Sequence, residues 1–186
     1  MVKSVYMKEH FQKMYKQREE IADELIYYQK NEWFRPYEEK WSWGETYYHL
    51  YLMLKWFRRL SKVYVPLARP VGTLRKEKPY ETCSSDIYAS YKEKNKKPMK
   101  APFILIPPEY EKINVSFEWL LVEIDKETKL LESVVANISD DEAGHIRFLD
   151  PLANNPNLIQ GIDLLGIHER HHFLLCKKYY HKAGRL

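Results

Sequence analysis

The stretch Gly166-Ile167-His168-Glu169-Arg170-His171-His172-Phe173 sets His168 and His172 four residues apart inside the last long run of helical periodicity. On a helix, residues at that spacing stack one turn above the other with Cβ atoms about 5–6 Å apart, so the two rings can converge on one metal ion. Two ligands do not make a site. The third candidate is His49, in Trp41-Ser42-Trp43-Gly44-Glu45-Thr46-Tyr47-Tyr48-His49-Leu50.

Working outward from these stretches, four long helical segments account for most of the chain. The first runs from about Ser4 to Asn31, with Phe11, Met14, Tyr15, Ile21, Leu25, Ile26 and Tyr28 at helical spacing and Pro36 beyond its end. Ser42 is an N-cap for the second, Glu45 completes a capping-box pattern, and Pro66 is expected to stop that helix at about Lys62. From Val63 to Pro108 the prolines at 66, 70, 79, 98, 102, 107 and 108 predict an irregular crossover, broken by one short helix over Ser85 to Asn95. Periodicity returns from about Tyr110 to Asn137 as the third helix. Ser139-Asp140-Asp141-Glu142 caps a short turn, Pro151 to Pro156 is loop, and the fourth helix covers Asn157 to His181. This pattern predicts an all-α fold: a four-helix bundle with a long proline-rich crossover between helices two and three, in a single domain over residues 1–186. No internal repeat interrupts it.

Composition narrows the function classes. The net charge is only +4, and the basic residues are dispersed rather than gathered beside stacking aromatics, which argues against nucleic-acid binding. The run Lys92-Glu93-Lys94-Asn95-Lys96-Lys97 reads as a solvated loop or helix end, with an acidic partner as the alternative. Cys83 and Cys176 are the only two cysteines and lack paired metal spacing, which points to a reducing compartment. With a polar N-terminus and no apolar run of membrane-spanning length, the expectation is a soluble, cytoplasmic protein with no membrane contact.

Helical wheels place the candidate ligands. At about 100° per residue, Met53, Trp56 and Leu60 fall within roughly 40° of His49, and Lys55, Arg58 and Arg59 lie opposite, so His49 faces the core with apolar packing beyond it. On the fourth helix His172 shares an arc with Leu164, Leu165, His168, Leu175 and Cys176, whereas His171 sits at the border and is expected to be exposed. Glu169 falls inside the apolar arc, which leaves it either as a hydrogen-bond partner behind a ligand or at a subunit contact. A structural role for each histidine remains open on these residues, because cationic His171 and His172 also suit the C-terminal end of a helix.

The tryptophan-serine, acidic residue and histidine-leucine pattern within Trp41 to Leu50, together with the Ile167-His168-Glu169-Arg170-His171-His172 segment, resembles the DinB-like, or YfiT-like, superfamily over nearly the whole chain. The resemblance implies an up-down-down-up four-helix bundle, often a homodimer, in which His49, His168 and His172 hold a divalent metal near one end. Activities known in that superfamily include thiol S-transfer and isomerisation with low-molecular-weight thiols, and many members are described as metal-dependent hydrolases. The sequence departs from the pattern at Cys176, where relatives often carry glutamine. That thiol is a fourth ligand, a redox-sensitive neighbour or an inert buried group.

Three neutral imidazoles leave a metal its full charge and exchangeable positions, where water or a thiol loses its proton near neutral pH. Zinc, nickel and iron all suit such a donor set. Glu45 is the candidate catalytic residue, able to orient or deprotonate the nucleophile, with helix capping as its other reading. Trp43, Trp56 and Trp119 are candidate walls of an apolar pocket for a small-molecule substrate, and the crossover is expected to supply its floor. The expectation is a metal-dependent thiol S-transferase or hydrolase. A non-catalytic or stress-associated metal-binding bundle, or a metal-free dimerising scaffold, stands as the alternative.

Overall fold

Ser4 opens the first helix by accepting the Met7 N–H (3.0 Å) on its hydroxyl, and that hydroxyl donates in turn to the Asp140 carboxylate. The same carboxylate accepts the N–H groups of Val5 (3.0 Å) and Tyr6 (3.3 Å), so an anion more than a hundred residues away fills the donor-rich helix end. The computed structural model describes residues 2–28, 31–85, 87–88, 101–109 and 112–184. Among them are five α-helices and no strand: α1 (Val5–Leu25), α2 (Trp43–Arg75), α3 (Phe117–Val135), the short α4 (Asp140–Ala143) and α5 (Leu158–Lys182). The all-α class follows directly.

Helix α1 ends at Leu25 and tightens into a 3-10 turn over Ile26–Tyr28, earlier than the sequence pattern suggests. It buries Met7, Phe11, Met14, Ile21 and Leu25, spaced by three, four or seven, which is the stripe expected of a helix facing a core. α1 packs against α5, α2 packs against α3, and further contacts join α2 to α5 and α1 to α3. Gly44, in the first turn of α2, allows Trp33 to lie on the helix; a Cβ there would come within 2.4 Å of the indole. Between these helices Tyr47 meets Phe117 and Phe173 with ring centroids 5.1 and 5.4 Å apart.

The second helix corrects the expected stop at Lys62, because it continues through Pro66 and Pro70 to Arg75. Each proline removes one helical donor and frees the carbonyl four residues earlier, here on Lys62 and Pro66. Both of those residues are exposed, so water can take the place of the missing N–H groups. Tertiary contacts hold the turns that follow. Arg69 Nε donates to Glu142 (2.8 Å), the Thr73 hydroxyl donates to the same carboxylate (3.3 Å), and Gly72 approaches so closely that a Cβ would sit 2.8 Å from the Glu142 carbonyl oxygen.

The remaining boundaries follow caps. α3 starts at Phe117, not near Tyr110, because the Ser116 side chain accepts the Trp119 N–H (3.1 Å) and sets the first turn there. Ser139 and Glu142 form a reciprocal capping box on α4, as do Asn157 and Gln160 on α5. Asn154 and Asn155 take the left-handed conformation that turns the chain into Pro156, a geometry asparagine tolerates better than most residues. Residues 151–153 form a 3-10 turn within the expected loop. Of the helix expected over Ser85 to Asn95, only Ser85, Ile87 and Tyr88 are described, with Ile87 and Tyr88 helical, and the basic run Lys92 to Lys97 lies outside the described residues. Among the described residues no helix is long and apolar enough to cross a membrane.

Candidate metal centre

Ser42 accepts the Glu45 N–H (3.1 Å) and donates its own N–H to the Glu45 carboxylate (2.9 Å), which fixes the first turn of α2 and with it the direction of His49 one turn later. His49 is buried at 1 % exposure and His168, on α5, at 8 %; His172 is half-buried one turn further along α5. One ligand atom from each of the three rings lies within 4.8 Å of the other two. His49 Nε2 and His168 Nε2 face each other at 2.8 Å. The three candidate ligands therefore meet in one place.

The proton positions follow from the partners. His49 Nδ1 lies 2.7 Å from the Leu105 carbonyl, which can only accept, so Nδ1 carries the proton and Nε2 presents a lone pair to His168. His168 Nδ1 is hydrogen-bonded to the Tyr88 hydroxyl, which can donate or accept. Zinc–nitrogen bonds of 2.0–2.1 Å at the tetrahedral angle would separate two ligand nitrogens by about 3.3 Å, so a cation fits between these rings after an opening of about half an ångström. His172 has no hydrogen-bond partner among the described residues; the Trp41 ring stacks over it at 5.9 Å and 18° and also meets His49 at 4.9 Å. Burial pushes all three imidazoles below their ordinary range, and mutual proximity pushes His168 and His172 down further. They stay neutral, as metal ligands must be.

Several expectations about the surroundings need correction. Glu169 serves neither behind a ligand nor at a subunit contact: its carboxylate is buried and paired with Arg18 of α1 through Nε (3.0 Å) and Nη2 (2.7 Å), with Gln17 adding a third contact (2.9 Å). Arg18 also reaches Asp125 (2.8 Å) and Thr128 (3.0 Å), so this pair ties α1, α3 and α5 together. His171 is not exposed but half-buried, stacked on Tyr88 with centroids 4.1 Å apart at 10°. Of the apolar packing expected beyond His49, Met53 is partly buried against the core, whereas Trp56 and Leu60 are 39 % and 53 % exposed. The buried line of α2 instead runs through Tyr47, Leu50, Tyr51, Leu54, Ser61 and Val65. Arg58, expected on the outer side, reaches the buried Glu127 carboxylate of α3.

The tryptophan walls are also different. Trp43 packs into an aromatic cluster with Tyr28, Phe173 and Tyr180, and Trp119 meets Tyr51, while Trp41 touches His49 and His172. Glu45 offers its carboxylate to the Ser42 N–H and to Arg35 Nε (2.9 and 3.0 Å). Burial raises the tendency of that carboxyl to hold a proton, and the Arg35 and Ser42 hydrogen bonds together outweigh it, keeping Glu45 ionised below the usual range. Cys176 is a buried free thiol pushed up to about 12 by burial, 3.1 Å from the Thr46 hydroxyl. Its sulfur is not among the ligand atoms that gather within 4.8 Å of one another at the three histidines.

Tyr88 and the Leu105 carbonyl are absent from the sequence reading. Both belong to the crossover, where no periodicity indicates which residue comes back to the helices. A groove between α1 and α3, walled by Tyr15, Arg18, Tyr47, Phe117 and Asp125, holds none of the three histidines, so the centre faces the crossover instead. No family model matches the chain, and neither a curated protein nor a solved structure matches it.

Proposed function

We propose that this chain is a DinB-like metal-binding protein, an up-down-down-up four-helix bundle in which His49, His168 and His172 hold a divalent cation such as zinc, nickel or iron and work on a small-molecule substrate as a metal-dependent thiol S-transferase or hydrolase. The observation that carries the reading is the third imidazole. A chain of hydrogen bonds satisfies His49 and His168, yet His172 converges on the same point with no hydrogen bond among the described residues. A shared cation uses all three nitrogens. The pairing of α1 with α5 and α2 with α3, closed by the two cross contacts, supports the bundle.

His49, His168 and His172 would hold the cation, which when bound would supply a Lewis-acidic centre able to ease loss of a proton from water or a low-molecular-weight thiol. The protein's own groups set the geometry. The Leu105 carbonyl fixes the His49 tautomer, the Tyr88 hydroxyl orients the His168 ring, and the Trp41 indole shields one side of His49 and His172 from solvent. The partners of Glu45 support the capping role over the catalytic one, because Arg35 and the Ser42 N–H already engage its carboxylate.

Metal analysis of protein purified without an affinity tag tests the site. Wild type should carry a stoichiometric divalent metal that His49→Ala loses; equal metal content in both would overturn the three-histidine centre. Consumption of a free thiol by an electrophile such as monochlorobimane, with and without chelator, tests the transferase reading, and a chelator-insensitive rate removes it.

A second reading has its own observation. If Tyr88 donates to His168 Nδ1, His168 Nε2–H donates to His49 Nε2 and His49 Nδ1–H donates to Leu105, then two of the rings are satisfied without metal. That pattern suits a metal-free scaffold. Protein that binds neither zinc nor nickel after complete demetallation would select it.

A further inference from the structure

At the other side of the crossover, another buried histidine faces a carboxylate. His10, on α1, is 3 % exposed. Its Nε2 lies 2.8 Å from the Thr82 carbonyl and must therefore carry the ring proton. Nδ1 then faces the Asp163 carboxylate of α5, 3.1 Å from Oδ1, and among the described residues nothing else meets it. Two acceptors held this close require positive charge between them. A proton on Nδ1 can supply that charge as an imidazolium–carboxylate pair, through a hydrogen bond that depends on alignment with the ring plane. A cation needs no such alignment. The exposed Cys83 completes the group: its Sγ, a ring nitrogen of His10 and a carboxylate oxygen of Asp163 all lie within 4.8 Å of one another.

We infer that His10, Cys83 and Asp163 form a second cation site, separate from the three histidines, that takes a borderline-soft divalent metal of the zinc class through one nitrogen, one sulfur and one oxygen. Those donors are the ones zinc accepts, and calcium or magnesium would not choose a thiolate. Binding releases the Cys83 thiol proton to solvent and leaves a coordination position open on the exposed side. The His10 tautomer needed is already fixed by Thr82, as an outer partner fixes a ligating imidazole.

The location gives the site a task. Residues 81–84 are stapled along the start of α5, with Asn157 Nδ2 donating to the Glu81 carbonyl (2.8 Å), Gln160 Nε2 to the Cys83 carbonyl (3.0 Å) and the Ser84 N–H to Asp163 Oδ2 (2.7 Å). Tyr88, which contacts His168, follows four residues after Ser84. A cation bound by His10, Cys83 and Asp163 thus clamps onto α1 and α5 the segment that precedes Tyr88, which reaches the three-histidine centre.

Cobalt(II) is the probe, because a cysteine thiolate bound to it gives a near-ultraviolet charge-transfer band that imidazole and carboxylate do not give. Demetallated, reduced, untagged full-length protein is titrated with cobalt chloride. The expected result is a thiolate band in wild type that is kept in Cys176→Ser, lost in Cys83→Ser and lost or sharply weakened in Asp163→Asn, and that zinc abolishes by competition. Cys83 is exposed, so Cys83→Ser should fold; an unchanged circular dichroism spectrum checks this. Protection of Cys83 from iodoacetamide by zinc is the second measurement. Absence of the band in wild type, its survival in Cys83→Ser, or alkylation indifferent to zinc would each overturn the site and leave an ordinary His10–Asp163 ion pair. None of the three-histidine ligands is a thiolate, so the band reports this site alone, whichever way the test of the three histidines comes out.

Discussion

The two halves of α2 reach the same helical geometry by opposite routes. From Trp43 to about Leu54 every level agrees: Ser42 and Glu45 cap the start, the apolar spacing is helical, and Tyr47, Leu50, Tyr51 and Leu54 are buried. From about Lys62 onward local chemistry opposes the helix with two prolines and an outward stripe of Val63, Leu67 and Leu74, and Glu142 of α4 holds the turns from outside. A helix whose local and tertiary signals agree is readable in advance. One held only by partners distant in sequence is not.

Substitutions should separate the halves. The largest effect is expected from Leu50→Ala in the first half, a loss of about 2–5 kcal/mol for a buried leucine, read from chemical denaturation. Pro66→Ala should restore a donor for the Lys62 carbonyl and raise stability by about 1–3 kcal/mol, less than the full intrinsic penalty because the unfolded chain also gains freedom. If Pro66→Ala destabilises the protein, the second half needs its proline and the contrast fails. Glu142→Ala should cost about 1–2 kcal/mol through the lost capping box and the lost Arg69 contact, with hydrogen exchange rising between Arg69 and Arg75 more than near His49. Leu67→Ala should fall within about 0.5 kcal/mol. A melting temperature that depends on protein concentration in wild type, and not in Leu67→Ala, would instead show that a second copy covers the stripe.

Acid should reach the halves in order. The His49 imidazole is held below its ordinary value of 6.5 by burial, so its contribution is complete above 6.5 and is lost as pH falls below that value, where the unfolded chain takes the proton first. Glu142 is lowered from 4.5 to about 2, chiefly by its Arg69 hydrogen bond, so its contribution is complete above 4.5 and drains only between there and about 2. Melting curves of wild type and Glu142→Ala should therefore keep a constant offset from neutral pH to about 5 while both fall, and converge only in stronger acid. An offset that shrinks between pH 7 and 5 would contradict this order.

The candidate site was legible where its code is local. The spacing of His168 and His172, the Ser42–Glu45 cap and the inward wheel position of His49 are all written within a few residues of one another, and they bring the three rings together. Arg18 and Glu169 lie 151 positions apart, so the wheel could mark Glu169 as buried without naming its partner. Likewise His10 is joined to Cys83 and Asp163 only by the path of the crossover. The mistake at Pro66 has the same root, because the propensity against helix is local and the contacts that override it come from Glu142.

The dependence of α1 on Asp140 also bears on how the chain is made. During synthesis Ser4, Val5 and Tyr6 leave the ribosome long before the carboxylate that will receive their hydrogens exists. At 5–20 residues per second, the intervening chain takes on the order of 10 s to appear. For that interval the first turn of α1 has only the Ser4 hydroxyl, bonded to the Met7 N–H, to close it, and its final form waits for the last third of the molecule.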